Sequence, residues 1–315
     1  MNIFATSLDF KIWENIAKGL YIFSIGLFKK VFIADSFAKW ANAGFTKVEN
    51  GEFLNIAESW ATSLSYSFQI YFDFSGYCDM AIGLALLFGI RLPINFNAPY
   101  KSQNISDFWR RWHITLGRFM RDYLYIPLGG NQRGMRITLR NHFIVLFLSG
   151  VWHGAGFGFI VWGILHGIAM CLHYIYSSSI ESKNLRKSTF LQSRIYHIFC
   201  WILTFNFINV SWIFFRSENI SGALNLLKSM FGIVWVELPQ KWWCIGELLA
   251  TIDGKDKCVI FVIIAFVVLY CKNSIEMLKS FKANIWNAAT TALFLFLSIL
   301  LLVSEPYTEF IYFNF

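Results

Sequence analysis

From Asn141 to Ile180 the chain runs for 40 residues without an Asp, Glu, Lys or Arg. About 20 apolar residues cross the hydrocarbon core of a bilayer, so a run of this length is read as two passages. Its only strong interruption is the glycine-rich stretch His153–Gly158, which predicts a hairpin turning there. Both ends of the hairpin, Arg140 and the 181–194 loop, then fall on one side. The first arm, 141–152, covers roughly 18 Å at about 1.5 Å per residue. That is short of a core about 30 Å thick, so the turn is expected within the membrane rather than beyond it.

Other stretches repeat the pattern. Ile195–Phe215 and Ile285–Ser304 carry no charge and each match one span. Cys258–Cys271 is a shorter one. Gly19–Phe28 reads as a span with Lys18, Lys29 and Lys30 snorkelling to the interfaces. Ser59–Ile90 holds only Asp73 and Asp79 and reads as a span and a half, or two short spans broken near Ser75 and Gly76. Across the chain 56% of residues are hydrophobic, 19% aromatic and 15% charged. That composition excludes a disordered chain and argues against a soluble enzyme, whose charged fraction is about 25%. The fold class is therefore an all-α, polytopic membrane protein. The first 15 residues mix Asp9, Lys11 and Glu14 with apolar residues, unlike a signal peptide. The absence of an internal repeat leaves an inverted-repeat transporter without support.

The net charge of +8 is local. Residues 91–140 hold nine basic and two acidic groups, whereas residues 1–90 hold six basic and eight acidic. Positive charge between apolar runs marks cytoplasmic loops, so nucleic acid is not an expected partner. Alternation then puts residues 216–257, with Trp235, Trp242 and Trp243 as interface anchors, and the C-terminal tail on the opposite side. Within the basic stretch, Phe108, Trp112, Leu116, Phe119 and Tyr123 recur at three- and four-residue spacing. They predict one amphipathic helix over 107–123, lying in a membrane interface, with Asp107–Arg111 and Arg118–Asp122 as i,i+4 ion pairs.

Polar groups at membrane depth are functional candidates. His153 sits at the break between the two arms, with glycines on both sides, and is placed either as a general base or as a packing histidine bonded to a carbonyl. His113 lies beside the apolar face of the amphipathic stretch, either orienting a substrate or as an interface residue. Asp73 and Asp79 would face apart on a helix; a break at Gly76 would let them line one cavity, pairing with arginines or relaying protons. Arg110, Arg111, Arg118 and Arg121, with Arg133 and Arg136 downstream, fit the phosphates of an acyl-CoA, an acidic carrier protein or anionic lipid headgroups. His142, His166, His173 and His197 read as packing or interface residues. The six cysteines form no C-x-x-C pair and no zinc pattern. H-E-x-x-H, the P-loop and G-x-S-x-G are absent, so metal and nucleotide hydrolysis have no sequence support.

Several motifs resemble the membrane-bound O-acyltransferase family: Tyr71–Gly83, Asn104–Leu116, Arg121–Gly130, the Ser-Gly-Val-Trp-His-Gly run ending at Gly154, and the ending Phe310–Phe315. The likeness covers nearly the whole chain and points to the bacterial branch that modifies alginate, peptidoglycan and teichoic acids. It implies one domain over 1–315, a ring of helices around a central funnel or tunnel with short re-entrant or interfacial helices, and a multi-pass protein of the bacterial cytoplasmic membrane. It implies His153 as the catalytic histidine and His113 as a second functional position. It also implies acyl transfer from a cytoplasmic thioester to a hydroxyl. Acetyl-CoA is the expected co-substrate, with no bound cofactor, and an extracytoplasmic acyltransferase protein is the expected partner for O-acetylation of a polysaccharide. D-alanyl transfer from a carrier protein and a non-catalytic acyl transporter or scaffold are the alternatives. Members of this branch carry further helices ahead of the segment that begins here, so the likeness implies an N-terminally truncated chain.

Overall fold

The computed structural model describes residues 7–183, 188–239, 249–252, 255–304 and 310. Among them all regular structure is helical, as expected. The order is α1 Ser7–Phe28, a π-helical turn Lys29–Ala34, α2 Asp35–Glu49, α3 Ile56–Leu87, α4 Ile105–Arg111, α5 Ile114–Met120, a second π turn Arg121–Tyr125, α6 Met135–Trp152, α7 Phe157–Ser182, α8 Arg194–Arg216, α9 Ile220–Met230, α10 Lys255–Tyr270, α11 Ser274–Lys279 and α12 Ile285–Ser304. Four of these, α3, α7, α8 and α12, are long and apolar enough to cross a membrane. The chain divides into two compact units.

One unit holds the described parts of Met1–Lys39, Phe68–Asn97 and Ile260–Phe315. Here α1 and α3 meet at glycines seven apart on each helix. A methyl group on Gly26 would stand 2.6 Å from the Gly76 carbonyl oxygen, and one on Gly19 would stand 2.8 Å from that of Gly83. Small residues at such crossings let backbones approach closely, which gives helices surrounded by lipid their packing energy. This corrects the expected break near Ser75 and Gly76: α3 runs unbroken for 32 residues, and Gly76 serves the crossing instead. Gly26→Leu should therefore keep this pair from closing, and the variant should accumulate poorly in membranes, measured by immunoblot against the parent.

The lysines are corrected too. Lys30 does not snorkel; it is 5% exposed. Its ammonium group lies 2.7 Å from Asp35 and 2.8 Å from Asp73 and 4.7 Å above the ring of Phe310. Lys29 pairs with Asp79 at 2.7 Å and donates to the Ser274 hydroxyl at 3.0 Å. Asp73 and Asp79 thus pair with lysines, where arginines were expected. Both lysines open the π turn Lys29–Ala34, a local departure from regular helix of the kind often found at functional positions.

The other unit holds Trp40–Ser67 and the described parts of Ala98–Val259. The predicted hairpin is present as α6 and α7, turning through His153–Gly156. Gly150 makes the crossing possible, since a methyl group there would collide with the Phe159 carbonyl oxygen and lie 3.0 Å from Cα of Gly163. Side-chain caps start the neighbouring helices: Asn104 accepts from the Asp107 N–H at 2.7 Å, Ser193 accepts from Tyr196 and Asn219 from Gly222.

The amphipathic stretch differs from expectation. It is not one helix over 107–123 but α4 and α5, broken at Trp112 and His113, with His113 in the left-handed region at φ 43°. Phe108 and Trp112 are buried in the unit, while Phe119 and Tyr123 are exposed. Only the second half presents an apolar face outward. Asp107–Arg111 forms as expected, at 3.0 Å. Asp122 pairs with Arg121 at 2.8 Å rather than with Arg118, because the π turn beginning at Arg121 shifts the four-residue spacing. Trp235 is exposed; Trp242 and Trp243, the middle of the 181–194 loop and most of Phe310–Phe315 lie outside the described residues.

Candidate active site

The hairpin delivers His153. It caps the C-terminus of α6, its backbone N–H donating to the Gly150 carbonyl at 3.1 Å, and it is 6% exposed. Four rings wall the imidazole: Trp152 and Phe215 with centroids at 4.9 and 5.0 Å, Trp162 at 5.5 Å and Phe159 at 6.4 Å. Phe159 and Trp162 come from α7 and Phe215 from α8, so three helices converge on one histidine. Gly154, at φ 153°, takes the chain past Phe159, whose ring would lie 2.8 Å from any Cβ there.

His113 is brought to the same place. The two imidazoles act on each other electrostatically. A left-handed conformation at a residue other than glycine is strained and persists where the surroundings dictate it. Here the dictating group is the preceding Trp112, wedged between Phe108 (5.6 Å), Tyr100 (6.1 Å) and Trp212 (5.0 Å). Tyr100 is itself fixed, donating to the Ser67 carbonyl at 2.5 Å and accepting from the Trp212 indole at 3.2 Å. Burial pulls the His113 imidazole down to about 4, so the ring is neutral at pH 7.

The same unit holds a cavity of about 510 Å³, whose lining includes neither His153 nor His113 but does include Ile114, the residue after His113. Arg110, Arg118 and Arg121 line it with Trp109, Tyr125, His142, Ser149 and Met170. Ser149 is one helical turn before His153 on α6. The structure thus gathers His153, His113, Arg110 and Arg118 in one unit. Arg111 lies in the same unit but is not among the residues lining the cavity; it shares Asp107 with Arg110, at 3.0 and 3.7 Å, and Asp73 and Asp79 belong to the other unit, in their lysine pairs.

Three residues given no functional role in the sequence lie in or against this site. His142 lines the cavity, stacked on Tyr125 at 4.8 Å. Ser149 does so from the same face of α6. His166, fully buried, accepts from the Trp109 indole at 3.2 Å and lies 3.0 Å from the Ser211 hydroxyl. Spacing carried a partial signal for two of them: Asn141, His142, Val145, Leu146 and Ser149 recur as one face of a helix.

A buried histidine at a broken membrane hairpin, a second at a left-handed backbone break and an arginine-lined cavity in the same unit make up the candidate site. Residues 6–217 match the model of the membrane-bound O-acyltransferase family, and the chain belongs to that family. It is similar to the peptidoglycan O-acetyltransferase of Helicobacter pylori, 46% identical over 96% of this chain and 57% of that protein. It is also similar to the probable alginate O-acetylase AlgI of Pseudomonas aeruginosa, 41% identical over 72% of this chain and 41% of that protein. The teichoic acid D-alanyltransferase of Bacillus subtilis is 32% identical over 45% of this chain and 37% of its own length. The chain therefore spans about half the length of these relatives.

Proposed function

We propose that this chain is the catalytic part of an O-acyltransferase of the bacterial cytoplasmic membrane, moving an acetyl group from a thioester to an acceptor hydroxyl for O-acetylation of an extracytoplasmic polysaccharide. The observation that carries the proposal is His153, buried among four rings at the break of the hairpin, in the same unit as His113 and the arginine-lined cavity. The names of the relatives, a peptidoglycan O-acetyltransferase and a probable alginate O-acetylase, support a polysaccharide acceptor.

The chemistry follows from the arrangement. The acceptor hydroxyl gives its proton to the His153 imidazole as its oxygen attacks the thioester carbonyl carbon. The new C–O ester bond forms, the C–S bond breaks, and the imidazolium returns its proton to the departing thiolate. The aromatic walls keep water from competing as acceptor. The cavity takes the donor: Arg110, Arg118 and Arg121 meet the phosphates of a coenzyme A thioester, and the face of α6 leads from them to His153. An extracytoplasmic partner protein completes delivery to the polysaccharide.

Deleting the gene should lower base-released acetate on the cell's wall or exported polysaccharide, and the gene returned in trans should restore it. Unchanged acetate in the deletion would defeat the proposal. Arg118→Glu should raise KM for acetyl-CoA about tenfold, the scale of one lost charge-assisted contact, and leave kcat within about twofold. Initial rates against acetyl-CoA concentration in membranes check this.

A further inference from the structure

The buried His166 on α7 has no part in the reaction as described, yet both its ring nitrogens are used. Nδ1 accepts from the Trp109 indole N–H at 3.2 Å. Nε2 therefore carries the proton and donates to the Ser211 hydroxyl at 3.0 Å, and that hydroxyl donates onward to the Ile208 carbonyl at 2.8 Å. Every hydrogen of this chain is thereby assigned, because an indole only donates and a main-chain carbonyl only accepts. The chain joins α4, α7 and α8 through one fully buried imidazole. Its face also packs on Trp162 at 4.6 Å, and Trp162 packs on His153. Trp109 in turn lines the cavity and sits on the short helix that ends at the His113 break.

We propose that His166 is a positioning residue for acyl transfer: held neutral with its proton on Nε2, it fixes the Trp109 indole in the cavity wall and so holds α4, and with it His113, against His153. A packing role alone asks only for a ring-sized volume. The positioning role asks for an acceptor at the place of Nδ1. Asparagine supplies an acceptor oxygen near that place and leaves much of the ring volume empty, so the two roles predict opposite orders among variants.

The inference rests on the acyltransferase reading, and the test separates the two. In cells carrying the full-length protein, base-released polysaccharide acetate is measured per unit of membrane protein for the parent, His153→Ala, His166→Ala, His166→Asn, Trp109→Phe and the double variant His166→Ala/Trp109→Phe. His166→Ala and Trp109→Phe should each lose about tenfold, the scale of one buried hydrogen bond between positioned groups. The double variant should lose no more than either alone, since both break the same bond. His166→Asn should stay within about threefold of the parent. Asparagine no better than alanine, or losses that multiply in the double variant, would overturn the positioning role. If His166→Ala does not accumulate, His166→Asn and Trp109→Phe still decide it, because a defect in Trp109→Phe with activity retained in His166→Asn is expected only of the hydrogen bond. Acetate unchanged in His153→Ala would instead remove the reading beneath it.

Discussion

Replacing His153 with alanine is expected to lower polysaccharide acetylation about a thousandfold while the protein stays in the membrane at its normal amount. The size follows from the role: a positioned general base contributes roughly 10²–10⁴ in rate, and the four rings that enclose this imidazole carry no basic group to replace it. The amount is unaffected because the α6–α7 crossing is made by Gly150 and Gly163, not by the imidazole. His113 behaves differently. Its backbone is left-handed, so His113→Ala removes the ring and also leaves a strained Cβ, whereas His113→Gly removes the ring and relieves the strain. Both should lower acetylation by about tenfold, less than His153→Ala, and the glycine variant should be the more abundant of the two. Quantifying acetate and membrane protein together separates these effects. A His153→Ala strain with near-normal acetate would remove the histidine from the chemistry.

The second large effect is on stability. Lys30→Met strands Asp73, 2% exposed, without the ammonium group 2.8 Å away, and takes from Asp35 its partner at 2.7 Å. Removing one member of a buried ion pair costs about 3–5 kcal/mol, since the remaining charge stays desolvated. The expected result is a variant that is largely lost from the membrane and melts well below the parent in detergent. Pairing Lys30→Met with Asp73→Asn removes the stranded charge and should restore much of the loss. A single variant as abundant and heat-resistant as the parent would show that Lys30 carries no such weight.

Charge-free length was enough to place the hairpin, α8 and α12, because an apolar run between charges is a direct statement of transfer energy. The His153 break was legible for the same reason: glycines interrupt an otherwise continuous run. What escaped were features set by contacts distant in sequence. A lysine at the end of an apolar run looks the same whether it snorkels or turns inward, and Lys30 turns inward to an aspartate on another helix. The three- and four-residue periodicity of Phe108, Trp112 and Phe119 runs straight through His113, although one left-handed residue there splits the helix. Trp112 decides the matter by burial among Tyr100, Phe108 and Trp212. His166 resembled any packing histidine, since its partners Trp109 and Ser211 lie on other helices. The two π turns likewise have no period of their own to read.

The central claim is that His153 makes and breaks bonds, and transfer of label from the thioester itself tests it most directly. Membranes holding the full-length protein, or its His153→Gln variant, together with the extracytoplasmic partner protein, are given acetyl-CoA labelled in the acetyl group and the cell's own polysaccharide. Free thiol and base-labile label on the polysaccharide are followed at once. The account predicts equal amounts of both from the parent and neither above background from the variant. Label reaching the polysaccharide at the parent's rate in His153→Gln would contradict it.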